Sequence, residues 1–73
     1  MDKQEDALSA FGRRLSQLRE ERGLSIAELA SRTGLGSGYI ARIEAGQQDI
    51  PITVIFVLAD GLSVPAARLL GTL

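Results

Sequence analysis

Arginine is the residue type through which this sequence can do chemistry. Seven of its eight basic side chains are arginines, Lys3 being the eighth, and it holds no histidine and no cysteine. The commonest general base and the commonest imidazole ligand are therefore missing. Disulfides and cysteine metal sites are missing too. Asp60 with Glu20 or Glu21 is the one carboxylate pair that acid–base work could use. No pocket, nucleophile–base or metal signature accompanies it, so these read as solvated charges. The sequence predicts no enzyme, no cofactor, no metal and no small-molecule ligand. What remains is the guanidinium group, a flat and permanently charged fork that pairs with carboxylates, with phosphates or with the edge of guanine.

Such a group acts only from a fixed position, and one stretch of the chain is built to provide it. Leu29-Ala30-x-x-Thr33-Gly34-Leu35 is followed by Ile40 and Ile43. Two short helices that cross steeply need a small side chain at the crossing, here Ala30. They also need a tight turn, here Gly34, which can close a helix in the left-handed conformation. Ile40 and Ile43 lie three apart and share a helix face that can seal the pair to a core.

Around this unit the pattern predicts an all-α chain of five helices with no strand. The first runs from about Ala7 to Arg22, with Leu8, Phe11, Leu15 and Leu18 on one face, and Gly23 stops it. Ser25-Ile26-Ala27-Glu28 fits a capping box for the second, with Leu24 and Leu29 at the hydrophobic-staple positions, and this helix ends near Thr33. The third runs from about Ser37 to Ala45, with Gly36 as N-cap and Gly46 as terminator. The fourth starts near Pro51 and ends near Gly61. The fifth opens at Pro65 and carries Ala66, Arg68, Leu69 and Leu70.

Seventy-three residues, 45% of them apolar and only 4% aromatic, fit one small domain with an aliphatic core. Residues 1–6 read as an acidic tail and 7–73 as the domain. The net charge is −1, but from Leu8 onward seven arginines face six acids, a local net of +1. No signal peptide is visible, and the apolar run from Ile50 to Ala59 is too short to cross a bilayer. The expected location is the cytoplasm.

Taken together, Phe11-Gly12-x-x-Leu15-x-x-Leu18-Arg19, Gly23-Leu24-Ser25, Glu28-Leu29-Ala30, Gly34, Tyr39-Ile40-x-Arg42-Ile43-Glu44-x-Gly46 and Leu58-Ala59-x-x-Leu62-x-Val64 resemble the lambda-repressor/Cro-like family of helix-turn-helix regulators. The resemblance runs without a gap from Ala7 to Leu70. It implies a five-helix domain that dimerises on an inverted-repeat operator in double-stranded DNA, with helix three in the major groove. By position, Ser37, Gly38 and Arg42 would face base edges and Tyr39 a phosphate. Gln47 and Gln48 would touch the DNA backbone, and Arg13 and Arg14 are further candidates for phosphates. Arg19 and Glu44, twenty-five positions apart, would pair and tie helix one to helix three. Arg32 and Arg68 read as surface residues.

Three positions depart from strong base readout. Gly38 has no side chain with which to read a base, and Gly36 and Gly38 weaken the helix by roughly 1 kcal/mol per glycine in a helix interior. The family commonly has glutamine where this chain has Ile26, which cannot bond a phosphate, although the helix N-terminal amides there still can.

Helix four carries more apolar residues than one buried face requires. Ile52, Ile55, Leu58, Ala59 and Leu62 suffice for the core, yet Val54, Phe56 and Val57 are apolar too. A homodimer interface through Val54, Phe56, Val57, Leu69 and Leu70 would cover them. The function expected is that of a sequence-specific transcriptional regulator: a phage repressor, a restriction–modification controller or an antitoxin-type autoregulator. The alternative is a protein-interaction module of the same fold in which DNA binding is weak or lost, which Ile26, Gly36, Gly38 and the acidic composition favour.

Overall fold

A computed structural model describes the backbone of residues 3–71 and the side chains of 7–71. The elements are α1 (Lys3–Glu21), α2 (Ile26–Thr33), α3 (Ser37–Glu44), α4 (Ile52–Leu62) and α5 (Ala66–Leu70), with no strand among the described residues. Contacts run α1 to α3, α3 to α2, α2 to α4, α4 to α5 and α5 back to α1. The five helices thus close a ring around one core.

That core is aliphatic apart from Phe11. Leu15, Leu29, Ile40, Ile43, Leu58, Leu62 and Leu69 are fully buried, and Leu18, Leu24, Ala59 and Val64 complete it. No polar or charged residue is buried with them among the described residues. Each helix contributes one apolar stripe, as expected where packing rather than intrinsic propensity holds short helices.

The capping box of α2 is complete. The Ser25 side chain accepts from the Glu28 amide at 3.0 Å, and the Glu28 carboxylate accepts from the Ser25 amide at 2.9 Å. The Ser25 amide holds the Glu28 carboxyl below its ordinary value, with the Ser25 side chain adding to the effect. Leu24 and Leu29, the staple pair, are both buried.

Several sequence expectations need correction. The first helix begins at Lys3 rather than Ala7, so residues 3–6 of the expected tail are helical. Lys, Gln and Glu are good helix formers, and propagation from an existing helix costs little. Residues 1 and 2 lie outside the described part. Pro51 and Pro65 are N-caps in extended conformation, each one residue ahead of its helix. Gly61 does not end α4. That helix runs on to Leu62 and closes through Ser63 in the left-handed region (φ 57°), whose amide bonds the carbonyls of Ala59 and Asp60.

Gly61 has a packing role instead. A Cβ there would lie 2.6 Å from Thr33 Cγ2, so its absence lets α4 approach α2. Gly12 does the same for α1 and α3 more severely. A Cβ on Gly12 would lie 2.5 Å from the carbonyl oxygens of both Ile43 and Glu44. Those are backbone atoms of the helix it crosses, and they cannot swing aside.

Gly12→Ala should therefore destabilise the protein by roughly 1–3 kcal/mol through overpacking, against the helix propensity that alanine ordinarily gains. At Gly38 a Cβ would meet only Arg42 Nη1, at an ordinary 3.6 Å, so Gly38→Ala should leave stability equal or higher. Urea unfolding of the two variants checks the contrast; equal losses at both positions would refute it.

Candidate nucleic-acid interface

The turn between α2 and α3 sets how α3 is presented. Gly34 closes α2 at φ 77°, its amide bonding the Ala30 carbonyl at 2.9 Å. Thr33 Oγ1 donates to the Leu29 carbonyl at 2.8 Å and accepts from the Leu35 amide at 3.2 Å, which stitches the turn together. Gly36 is the N-cap of α3 and offers no side-chain cap. The chain therefore enters α3 with an exposed, uncluttered first turn.

Ile40 and Ile43 anchor one side of α3 in the core. Ser37, Gly38, Ala41, Arg42 and Ala45 are exposed, and at 100° per residue they form one continuous face. Tyr39 is half-buried at its edge and packs against the core. Sequence reasoning missed Ala41. It lies three positions after Gly38 and four after Ser37, a spacing that puts it in the middle of this face.

Two features hold α3 against α1. One is the Gly12 crossing. The other is a two-bond ion pair in which Arg19 Nε donates to Glu44 Oε2 at 2.7 Å and Arg19 Nη2 to Glu44 Oε1 at 3.0 Å. Arg19 Nη1 also donates to the Leu24 carbonyl at 2.8 Å, just ahead of the α2 N-cap Ser25. The side chains are 14% and 11% exposed, so the pair is shielded enough to matter. The bond to Glu44 is the largest reason that Arg19 holds its proton above the ordinary arginine value.

The remaining arginines divide sharply. Arg14 donates from Nε to the Leu69 carbonyl at 3.0 Å, tying α1 to α5. It lies about 200° around α1 from Gly12, on the side turned away from α3. Arg14, expected near a phosphate, is half-buried and holds the Leu69 carbonyl through Nε. Arg22 donates to the Ser63 carbonyl at 3.2 Å and Arg32 to the Gly61 carbonyl at 3.4 Å, both at the C-terminal end of α4. Cations belong there, because the last carbonyls of a helix carry partial negative charge. Arg68 lies 3.8 Å from Glu21, in an exposed pair.

Arg13 and Arg42 remain. Arg13 is exposed on α1, next in sequence to the Gly12 crossing. Arg42 sits on the exposed face of α3, its guanidinium 5.9 Å from the Tyr39 ring centre. Its Nε donates to Gln48 Oε1 at 3.1 Å. Gln47 is exposed in the loop after α3, where Gly46 (φ 74°) turns the chain and the Gln47 amide bonds the Arg42 carbonyl at 2.9 Å. Ile26, where the resemblance leads one to expect glutamine, packs against the core. Its side chain serves α2 packing rather than the surface.

The apolar surplus also divides. Leu69 is fully buried in the protomer's own core, so the expectation that it lines an interface fails. Val54 is half-buried against the same core. Phe56 (58% exposed), Val57 and Leu70 are exposed, and Ile52, expected inside, is 66% exposed. Ile52 occupies the first turn of α4, beyond the reach of the helices that cover its middle.

Comparison with known proteins agrees with this geometry. The helix-turn-helix domain family matches residues 10–70. The chain is 39% identical over 59 residues to the transcriptional repressor RghR of Bacillus subtilis, an alignment covering 80% of this chain and 44% of that protein. It is 35% identical over 51 residues to the regulator SutR of Escherichia coli, covering 70% and 29% respectively. It therefore spans less than half the length of these two relatives. The restriction-modification controller protein C.AhdI of Aeromonas hydrophila has a similar structure, with a TM-score of 0.83 at 37% identity over 85% of this chain and 94% of that one.

The shielded pair leads to a stability test. Glu44→Ala should cost about 3 kcal/mol, because Arg19 loses its carboxylate without returning to water. A double Arg19→Met, Glu44→Met variant should lie closer to the native protein than either single change. Thermal unfolding checks both; a single variant as stable as the native chain would remove the pair from the account.

Proposed function

The chain belongs to the helix-turn-helix domain family; from that premise we propose that it is a transcriptional regulator rather than an enzyme, and that it binds an inverted-repeat operator as a homodimer. The observation that carries this reading is the exposed face of α3. Ser37, Gly38, Ala41, Arg42 and Ala45 are presented together on a helix whose other side is locked into the core. In the major groove Arg42 would pair with guanine, Ser37 would bond a base edge and Ala41 would meet a thymine methyl. Arg13, Tyr39 and Gln47 would lie near phosphates. The likeness to C.AhdI over 94% of that protein favours a restriction–modification controller role over the other regulator types. Its place of work would be the cytoplasm.

The dimer would form through the exposed apolar residues of α4 and α5, namely Ile52, Phe56, Val57 and Leu70. A twofold axis puts the same patch on both partners. It would set two copies of α3 about 34 Å apart, one turn of DNA. Two weak half-site contacts then add up, because the second is intramolecular.

Selection from random duplexes at near-physiological salt tests the DNA reading. A palindromic site should be enriched. Arg42→Ala should lose about 1–3 kcal/mol on that site and relax selectivity at one base pair per half-site. Arg13→Ala should weaken all sequences alike and flatten the salt dependence. If no palindrome is enriched, or if Arg42→Ala enriches the same site equally well, a protein-interaction role takes its place.

The assembly has its own test. Sedimentation should show a dimer at micromolar concentration, and Phe56→Glu should give a folded monomer with an unchanged far-ultraviolet spectrum. A dimer that survives Phe56→Glu would put the interface elsewhere.

A further inference from the structure

Two neighbouring side chains, Tyr39 and Gln48, hold Arg42. Its side chain lies back along α3, as long helical side chains do, so that Nη1 would stand 3.6 Å from a Cβ on Gly38, one turn earlier. The guanidinium centre is 5.9 Å from the Tyr39 ring centre, within the range of a cation–π contact. Nε donates to Gln48 Oε1 at 3.1 Å, and Gln48 Nε2 donates in turn to the Asp49 carbonyl at 3.2 Å. The Gln48 amide is therefore oriented from its other end: with its nitrogen on a carbonyl, its oxygen faces Arg42. The Arg42 side chain makes no other hydrogen bond among the described residues, so Nη1 and Nη2 keep their donors.

We infer that Gln48 is a positioning residue for Arg42, fixing which edge of the guanidinium meets the DNA, rather than a phosphate contact of its own. The inference rests on the reading that Arg42 faces a base. A free arginine can offer either the Nε–Nη2 side or the Nη1–Nη2 end to the O6 and N7 acceptors of guanine. With Nε engaged by Gln48, only the Nη1–Nη2 end is offered. The ring of Tyr39 limits rotation about the last side-chain bonds. Gln48 and Tyr39 thus combine to order the one strong reader on the face. Ordering it before binding removes a rotamer cost from the complex and from the correct base in particular.

The test uses the full chain and the duplex that selection enriches, with a random duplex of the same length as reference. Gln48→Met keeps the length of the side chain and removes the acceptor. It should reduce the preference at the Arg42-dependent base pair by roughly threefold to tenfold, the size of coupling between contacting residues. Binding to the random duplex, and its salt slope, should stay unchanged. Gln48→Glu should restore the base preference, because a carboxylate oxygen also accepts from Nε, while lowering affinity for every duplex through its charge. In an Arg42→Ala background, Gln48→Met should have no further effect on preference.

A uniform loss on all duplexes with a flatter salt slope would make Gln48 a phosphate contact and overturn the inference. An unchanged preference in Gln48→Met, with Arg42→Ala still relaxing selectivity, would overturn it while leaving the base reading intact. If Arg42→Ala relaxes nothing, or no duplex is enriched at all, the base reading fails and the inference fails with it.

Discussion

The placement of α3 depends on one close crossing. At Gly12 the backbone of α1 meets the Ile43 and Glu44 carbonyls of α3 with no room for a single carbon between them. Interfaces between helices with ordinary side chains hold their axes 8–10 Å apart. Removing the side chain at the contact allows a closer and more rigid seat. The Arg19–Glu44 pair lies two helical turns along α1 and clamps the same two helices, with a third bond from Arg19 to the Leu24 carbonyl. The exposed face of α3 is therefore fixed relative to the domain by backbone contact on one side and shielded charge on the other. If that face meets a rigid duplex, as proposed, it needs that kind of support, because ångström errors in position are costly in hydrogen-bond geometry.

The charge distribution follows from how the arginines are used. A net charge of −1 looks poorly suited to a polyanion. Yet Arg14, Arg19, Arg22 and Arg32 each donate to a backbone carbonyl, and Arg68 lies beside Glu21. These groups hold loops and helix ends rather than creating a broad positive field. Arg13 and Arg42 are exposed and tied to neither a carbonyl nor a carboxylate among the described residues. On the proposed reading, specificity would depend on how well one or two guanidinium groups are oriented, more than on bulk attraction. The bond from Gln48 and the ring of Tyr39 have meaning in that light.

The outer surface of α4 runs opposite to this economy of charge. Ile52, Phe56 and Val57 are exposed with Leu70, in a helix that needs only its inner stripe for the core. So much apolar surface in so short a chain is costly to leave wet. A small domain also gains stability by associating. The same helix thus closes the core on one side and leaves an exposed apolar surface on the other, the one proposed for assembly.

The elements and their order were legible in the sequence because they depend on local rules. The Leu8–Leu18 spacing, the Ser25–Glu28 box and Gly34 each act within a few residues, and the structure shows the last two in place. The exposed face of α3 was legible for the same reason, since Ile40 and Ile43 declare which side is buried. What the sequence left open depends on contacts distant along the chain. Gly12 and Gly61 look like ordinary helix weak points until the helices they admit are present. The sequence pattern put Ile52 in the core and Leu69 at an interface, yet Leu69 is buried and Ile52 is exposed, because which apolar residues are covered depends on the helices packed beside them. Arg13 and Arg14 are adjacent and chemically identical. Only tertiary structure separates them, by bringing the Leu69 carbonyl to Arg14 and leaving Arg13 in solvent: a one-residue step turns a helical side chain by 100°, and what stands on each side of α1 is supplied by residues more than fifty positions away.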